Sequence, residues 1–213
     1  MAAGLCAIAE MADPAARVST KGGLLYVWIA PGRFVMGCSP GDDSCFEWEK
    51  PARAIIVHKG FWIGQTEVTQ ESYQRVMGSN PSRYKGARRP VDQVSWYNAR
   101  KYCQTVGMRL PTEAEWEDSA RGGASSARYG PLDDIAWNDG NGGDVTHQFG
   151  QKLPNAFGLY DTLGNVWEWV EDRYSPDPSK RVLRGDSFYN LPDHVRVSDR
   201  LWRCPRPLIA IWA

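Results

Sequence analysis

The chain has 213 residues, with 25 Lys+Arg against 25 Asp+Glu, so it carries no net charge; that balance leaves no basic footprint for nucleic acid. Hydrophobic residues make up 42% and charged residues 23%, which suits a folded core rather than a disordered chain, and no apolar run approaches the roughly 20 residues of a membrane helix. Ten Trp, 21 Gly and 14 Pro point to loops folded on an aromatic scaffold and argue against a helical bundle.

In chain order, Met1 to Val18 lacks a basic n-region, which makes a poor secretory signal; a cytoplasmic location is expected if this start is native. Leu24 to Ala30 reads as a strand, Pro31-Gly32 as a turn signal and Arg33 to Met36 as the returning strand. Cys38 and Cys45 flank a polar loop. They suit a disulfide in an oxidising compartment and free thiols in a cytosol, and no Cys-x-x-Cys is present to make a zinc knuckle. Arg53 to Val57 and Phe61 to Gly64 are further strand-like runs. Three helices follow. Thr69 caps the first, with Gly78 as its stop. Ser95 caps the second, with Trp96, Ala99, Cys103 and Val106 at helical spacing and Gly107 as its stop. Thr112 and Glu115 form a capping box for the third. Residues 122–163 are rich in Gly, Asn, Asp and Pro and longer than an ordinary loop. Such a stretch needs aromatic packing, backbone hydrogen bonds or a metal ion to hold it. Strand-like runs resume at Val166 to Val170, Val182 to Arg184, Val195 to Val197 and Leu208 to Trp212. Early strands, then helices, then loops and late strands indicate an α+β domain.

Several catalytic patterns are missing: no Walker loop, no Gly-x-Gly-x-x-Gly after a strand, no His-Glu-x-x-His and no Gly-x-Ser-x-Gly. Gly185-Asp186-Ser187 with His194 imitates a hydrolase serine and its base. The seven-residue spacing instead makes Ser187 a strand-end residue and His194 a loop residue. The richest segment is Pro154 to Trp169. Asp161 and Glu168 place carboxylates seven residues apart across a Gly164-Asn165 turn. Calcium takes six to eight oxygens, mixing carboxylates with backbone carbonyls, and the carbonyls of Gly164 and Val166 can face the same point. On spacing alone the two acids read as solvated loop residues, because pairs of carboxylates are common.

The ordered motifs resemble the formylglycine-generating-enzyme (sulfatase-modifying factor) family. They are Gly32 to Gly37, Glu67-Val68-Thr69, Pro90 to Trp96, Arg109 to Glu117, Asn155 to Trp169 and Arg181 to Gly185, and the resemblance runs from about Ala30 to about Trp212. It implies a C-type-lectin-like α+β fold rich in irregular loops, over residues 21–213 after an N-terminal extension of residues 1–20. It also implies a structural calcium ion held by Asp161, Gly164, Val166 and Glu168, with Gly164 and Val166 acting through their carbonyls.

Catalytic members of the family oxidise a substrate cysteine with copper held by two Cys. Aligned on Gly185 and Ser187, those positions are Asn190 and Val195 here. Neither can be the thiolate that copper(I) requires, so copper is not expected and no catalytic residue is assigned. The resemblance then favours a subgroup of the fold, the variable proteins of diversity-generating retroelements, whose C-terminal region is randomised on a fixed framework. That region corresponds to about residues 184–205. Its candidate ligand-binding residues are Asp186, Phe188, Tyr189, Asn190, Leu191, His194, Asp199, Leu201, Trp202 and Arg203, a mixture of aromatic and short polar groups like a paratope. The function expected is non-catalytic binding of an unknown protein or surface ligand by a monomer, without nucleic acid or membrane insertion. The alternative is an oxidoreductase of the formylglycine-generating type acting on a protein cysteine.

Overall fold

The computed structural model describes residues 22–206, with the backbone of two short flanking strands, β1 (Arg17–Val18) and β9 (Ala210–Ile211). Between them lie β2 (Leu25–Ile29), β3 (Gly32–Met36), β4 (Arg53–Val57), β5 (Phe61–Gly64), α1 (Gln70–Met77), α2 (Trp96–Thr105), α3 (Glu113–Arg121), the single turn α4 (Leu132–Ile135), β6 (Glu168–Arg173), β7 (Arg181–Arg184) and β8 (Arg200–Arg203). The strands form a three-stranded sheet β1-β2-β5, a ribbon β3-β4 and a four-stranded sheet β8-β7-β6-β9, in which only the β6–β9 pairing is parallel.

The three helices begin where their caps predict. The hydroxyls of Thr69, Ser95 and Thr112 accept from the N–H groups of Ser72, Asn98 and Glu115, and Glu115 returns the bond to Thr112. Each cap satisfies N–H groups that the first helical turn leaves without intrahelical partners. Trp96 of α2 and Trp169 of β6 are locked by indole bonds to the Val170 carbonyl at 2.8 Å and the Val94 carbonyl at 3.0 Å. These bonds join the helix layer to the sheet. Two buried clusters result. One gathers Trp96, Tyr102, Leu110, Trp169 and Leu183; the other gathers Ile63, Trp116, Leu159, Leu163, Val170, Val182, Val195 and Val197.

Two expectations are corrected. Arg33 to Met36 does not return along Leu24 to Ala30: β2 pairs with β1 and β5, and β3 pairs with β4. Tyr26, Val27 and Ile29 are buried, whereas β3 and β4 bury only Met36 and Val57. Pro31 therefore turns the chain out of the core sheet into a more exposed ribbon. Val195 to Val197 is a turn rather than a strand. The alternation is misleading because Arg196, the polar residue between the two valines, is itself 1% exposed. The long stretch 122–163 is held by hydrogen bonds and ring packing. Asn155 spans it, donating to the carbonyls of Ser119 and Ala120 and accepting from the N–H groups of Phe157 and Leu159. Trp137 stacks on His147 at 3.7 Å.

Candidate functional site

The turn after the long loop carries the acids singled out by sequence. Asp161 and Asn165 both adopt left-handed backbone, with φ of 55° and 56°, a conformation short polar residues tolerate. Gly164 must remain glycine, since a Cβ there would stand 2.1 Å from the Trp137 carbonyl oxygen. Asp161 and Glu168 are buried, and each keeps one oxygen without a protein hydrogen bond. Asp161 Oδ2 accepts from the Gly150 N–H at 2.7 Å and Glu168 Oε2 from the Trp116 indole at 2.8 Å, leaving Oδ1 and Oε1 free. Burial pushes the Asp161 carboxyl up to about 6. Glu168 is raised well above the ordinary range, first by burial and then by the charge of Asp161. Two orphaned oxygens on the carboxylates expected to hold calcium fit a hard cation.

Glu67, just after β5, is an acid packed against the same turn, known from the sequence only as a mark of the fold. It is fully buried, its Oε2 accepts from Asn165 Nδ2 at 2.9 Å, and its Oε1 has no partner. Burial, then the charges of Asp161 and Glu168, raise it well above the ordinary range. Glu67 is tied to the turn by hydrogen bonds with the Asn165 side chain and the Val166 backbone. Asn165 also accepts from the His147 N–H at 2.8 Å, and its carbonyl accepts from the Phe188 N–H at 3.1 Å. One asparagine thus ties the acidic turn to the C-terminal segment.

That segment stands on two buried arginines. Arg184 is ion-paired with Glu117 and donates to the carbonyls of Val197, Ser198 and Asp199. Arg196 grips Glu49 through both terminal nitrogens, at 2.7 and 2.8 Å, and Asp42 at 2.9 Å. Glu49 and Asp42 belong to the loop started by the Cys38–Cys45 disulfide, which the two Cys do form. Forked guanidinium–carboxylate pairs of this kind fix geometry as well as charge.

Between the acidic turn and the segment lies a cavity of about 160 Å³, lined by Arg83, Tyr84, Gln93, Trp167, Ser187, Phe188 and Tyr189 among others. The Tyr84 and Tyr189 hydroxyls meet at 3.0 Å on its rim, and Phe188 packs edge-on to Tyr84. Arg83 and Tyr84 carried no signal in the sequence, and Gln93 only as part of the Pro90 to Trp96 motif, because nothing local distinguishes a pocket wall from a surface loop.

The candidate ligand-binding residues divide. Tyr189 and Leu191 are exposed at 52% and 58%. Arg203 is exposed, and Asn190, His194, Leu201 and Trp202 are half-buried. Asp186, Phe188 and Asp199 are buried and leave the exposed set. Asp186 has φ 66° and lies beside Asp199 and the two arginines; burial first, then the charge of Asp199, raises its carboxyl well above the ordinary range. Phe188 fills the inner wall of the cavity. Asn190 turns inward: its Oδ1 accepts from the Ser187 N–H at 3.0 Å and the Ser187 hydroxyl at 2.7 Å. Val195 is fully buried in the second core cluster. Among the described residues the free thiols are Cys103, buried in α2, and Cys204, exposed after β8. Neither lines the cavity.

The model of the sulfatase-modifying factor enzyme 1-like domain matches residues 12–207. Chaperone protein LppX of Paenibacillus barcinonensis is 30% identical over 65% of this chain and 72% of its own length. The formylglycine-generating enzyme of Streptomyces coelicolor is 37% identical over 53% of this chain, which spans 49% of that enzyme. Among solved structures, Treponema denticola variable protein 1 superimposes with a TM-score of 0.79 at 27% identity, over 93% of this chain and 97% of that one. The chain belongs to the sulfatase-modifying factor enzyme 1-like family, with the loop-rich α+β fold of its formylglycine-generating enzymes.

Proposed function

We propose that the chain is a non-catalytic ligand-binding protein whose C-terminal segment, about residues 184–205, is a diversified display surface on a fixed scaffold. The observation that carries this reading is the split within the segment. Arg184, Asp186, Val195, Arg196 and Asp199 are buried in a bonded framework, while Tyr189 and Leu191 between them and Arg203 beyond them point to solvent. Aromatic and aliphatic anchors on a rigid base give contact area at low entropic cost. The likeness to Treponema denticola variable protein 1 supports the same reading. Oxidation of a cysteine is disfavoured by chemistry: Asn190 and Val195 stand where the family's copper thiolates would be, and neither is a soft ligand.

The scaffold is proposed to hold a structural calcium ion through the carboxylates of Asp161 and Glu168 and the carbonyls of Gly164 and Val166. The ion would supply the positive charge that the buried acids lack. The chain's own part is to keep the turn in shape: Glu67 orients Asn165, and Asn165 holds the Phe188 backbone.

The test is genetic. Comparing the 3′ end of the gene with its genomic neighbourhood should reveal a near-copy differing at adenines, with the differences falling in codons for solvent-facing residues such as Tyr189, Leu191 and Arg203. A locus without such a copy, together with turnover of a cysteine-containing peptide by the purified chain, overturns the proposal.

A further inference from the structure

We propose that a row of arginines at the outer end of the four-stranded sheet is a binding site for a tetrahedral oxyanion, the phosphate or sulfate group of a small ligand. Strand register builds the row. Arg173 of β6 is the partner of Arg181 of β7, and Arg181 is the partner of Arg203 of β8. Residues directly opposite in antiparallel strands share a face with Cβ atoms about 5 Å apart, where like charges repel. The three arginine side chains therefore leave one face of the sheet from adjacent positions on three strands of a chain with no net charge.

The charge of Glu171 partly offsets that of Arg181, but no described carboxylate pairs with the row. None of the three has a carboxylate within 4.0 Å. The acids of the surrounding chain are engaged elsewhere: Glu171 with Arg100 at 3.7 Å, Asp177 with Lys180 at 3.2 Å, and Asp172 with the Glu113 N–H at 2.7 Å. The central arginine is also fixed in place. The Arg181 guanidinium lies 3.7 Å from the centroid of the Trp96 ring, and its Nη1 donates to the Glu171 carbonyl at 2.8 Å. Burial, then the charge of Arg173, hold it below the ordinary arginine value, as expected where positive charge is crowded. Arg173 and Arg203 are exposed and can close over an anion from either side.

The donor set selects the ligand. Each guanidinium offers a planar fork of N–H donors. A carboxylate, with two oxygens, satisfies one fork. A phosphate or sulfate group presents three or four oxygens, so forks from neighbouring strands can grip it together. The row sits at the start of β7 and the end of β8, whereas the cavity follows the end of β7; the row shares Arg203 with the exposed residues of the last segment, while Arg173 and Arg181 lie outside that segment.

The experiment titrates inorganic phosphate, sulfate and acetate into the full chain at constant ionic strength set by chloride, read by calorimetry and melting temperature. Phosphate or sulfate should bind saturably at one site, with acetate weaker by roughly tenfold, and the tighter of the two names the source of the oxyanion. The double variant Arg173→Gln/Arg203→Gln, made at exposed positions, should melt like the parent in chloride and lose roughly tenfold or more in oxyanion affinity. The control Arg33→Gln/Lys59→Gln removes two exposed cations elsewhere and should leave binding unchanged. Non-saturable binding, acetate equal to phosphate and sulfate, or equal losses in the two double variants would each overturn the assignment.

Discussion

Glu67, Asp161 and Glu168 are buried acids, and what they cost depends on what shares their turn. Without a cation, desolvation opposes their charge; a dication bound only to the folded chain would stabilise it by about 2.7 kcal/mol at a hundred times its Kd. Calcium should therefore raise the melting temperature of chelator-treated protein. Asp161→Asn and Glu168→Gln, each of nearly unchanged volume, should abolish that response, and an undiminished response in both variants would remove these residues from the site. Asp118 provides a check unrelated to metal. Burial raises its carboxyl from 3.8 to about 6, so the folded state binds the proton more tightly than the unfolded state. Stability then falls as pH rises from about 4 through about 6. Asp118→Asn should gain about 1 kcal/mol at pH 7 after discounting for solvent screening, and nothing at about pH 4; denaturation midpoints at the two pH values decide it. Spacing alone made Asp161 and Glu168 solvated loop acids, and only the family resemblance marked them as a pair that could hold an ion. Glu67 was legible only as part of a family mark, since its approach to Asn165 spans 98 residues.

At the level of elements, the C-terminal segment and the disulfide loop behave as one unit. The joint is Arg196, which holds Glu49 and Asp42 from some 150 residues away. Arg196→Met leaves two buried carboxylates unpaired and should cost about 3–5 kcal/mol, measured by urea denaturation. Replacing Tyr189 or Leu191 by Ser should change stability by only about 0.5 kcal/mol, as for surface residues away from caps and metals. Reducing the Cys38–Cys45 bridge, or Cys38→Ser, frees a short loop and should cost about 2.5 kcal/mol on chain-entropy grounds; an unchanged midpoint would separate the loop from the scaffold. The starts of α1, α2 and α3 were legible to the residue because caps are local chemistry: Thr69, Ser95 and the Thr112/Glu115 box announce their own N-termini. The strands were legible as runs but not as partners. Pro31-Gly32 looks like a hairpin turn, yet burial of Val27 and Ile29 sends β2 to β5 instead. Val195-Arg196-Val197 reads as alternation, yet all three residues are buried, since the charge of Arg196 is satisfied by acids far away in sequence.

Over the whole molecule, two core clusters flank the four-stranded sheet, and the loops lie over them. Trp169 joins sheet to helix layer from full burial. Trp169→Ala should cost about 3–5 kcal/mol and lower the melting temperature whatever ligand is present. The family and its fold were readable in the sequence because the motifs keep their order along nearly the whole chain. Which residues of the last segment face solvent was not, because Phe188, Tyr189 and Asn190 are consecutive and only packing turns the first inward, the second outward and the third back onto Ser187. That division of scaffold from display surface is tested most directly with two libraries. One randomises Tyr189, Leu191, His194 and Arg203; the other randomises Asp186, Phe188, Val195 and Arg196. Both are scored for melting temperature and for binding to a ligand the parent does not recognise. Most members of the first library should melt within about 4 °C of the parent and yield binders, while most of the second unfold. A first library that unfolds, or a second that keeps the fold and supplies the binders, would contradict the division.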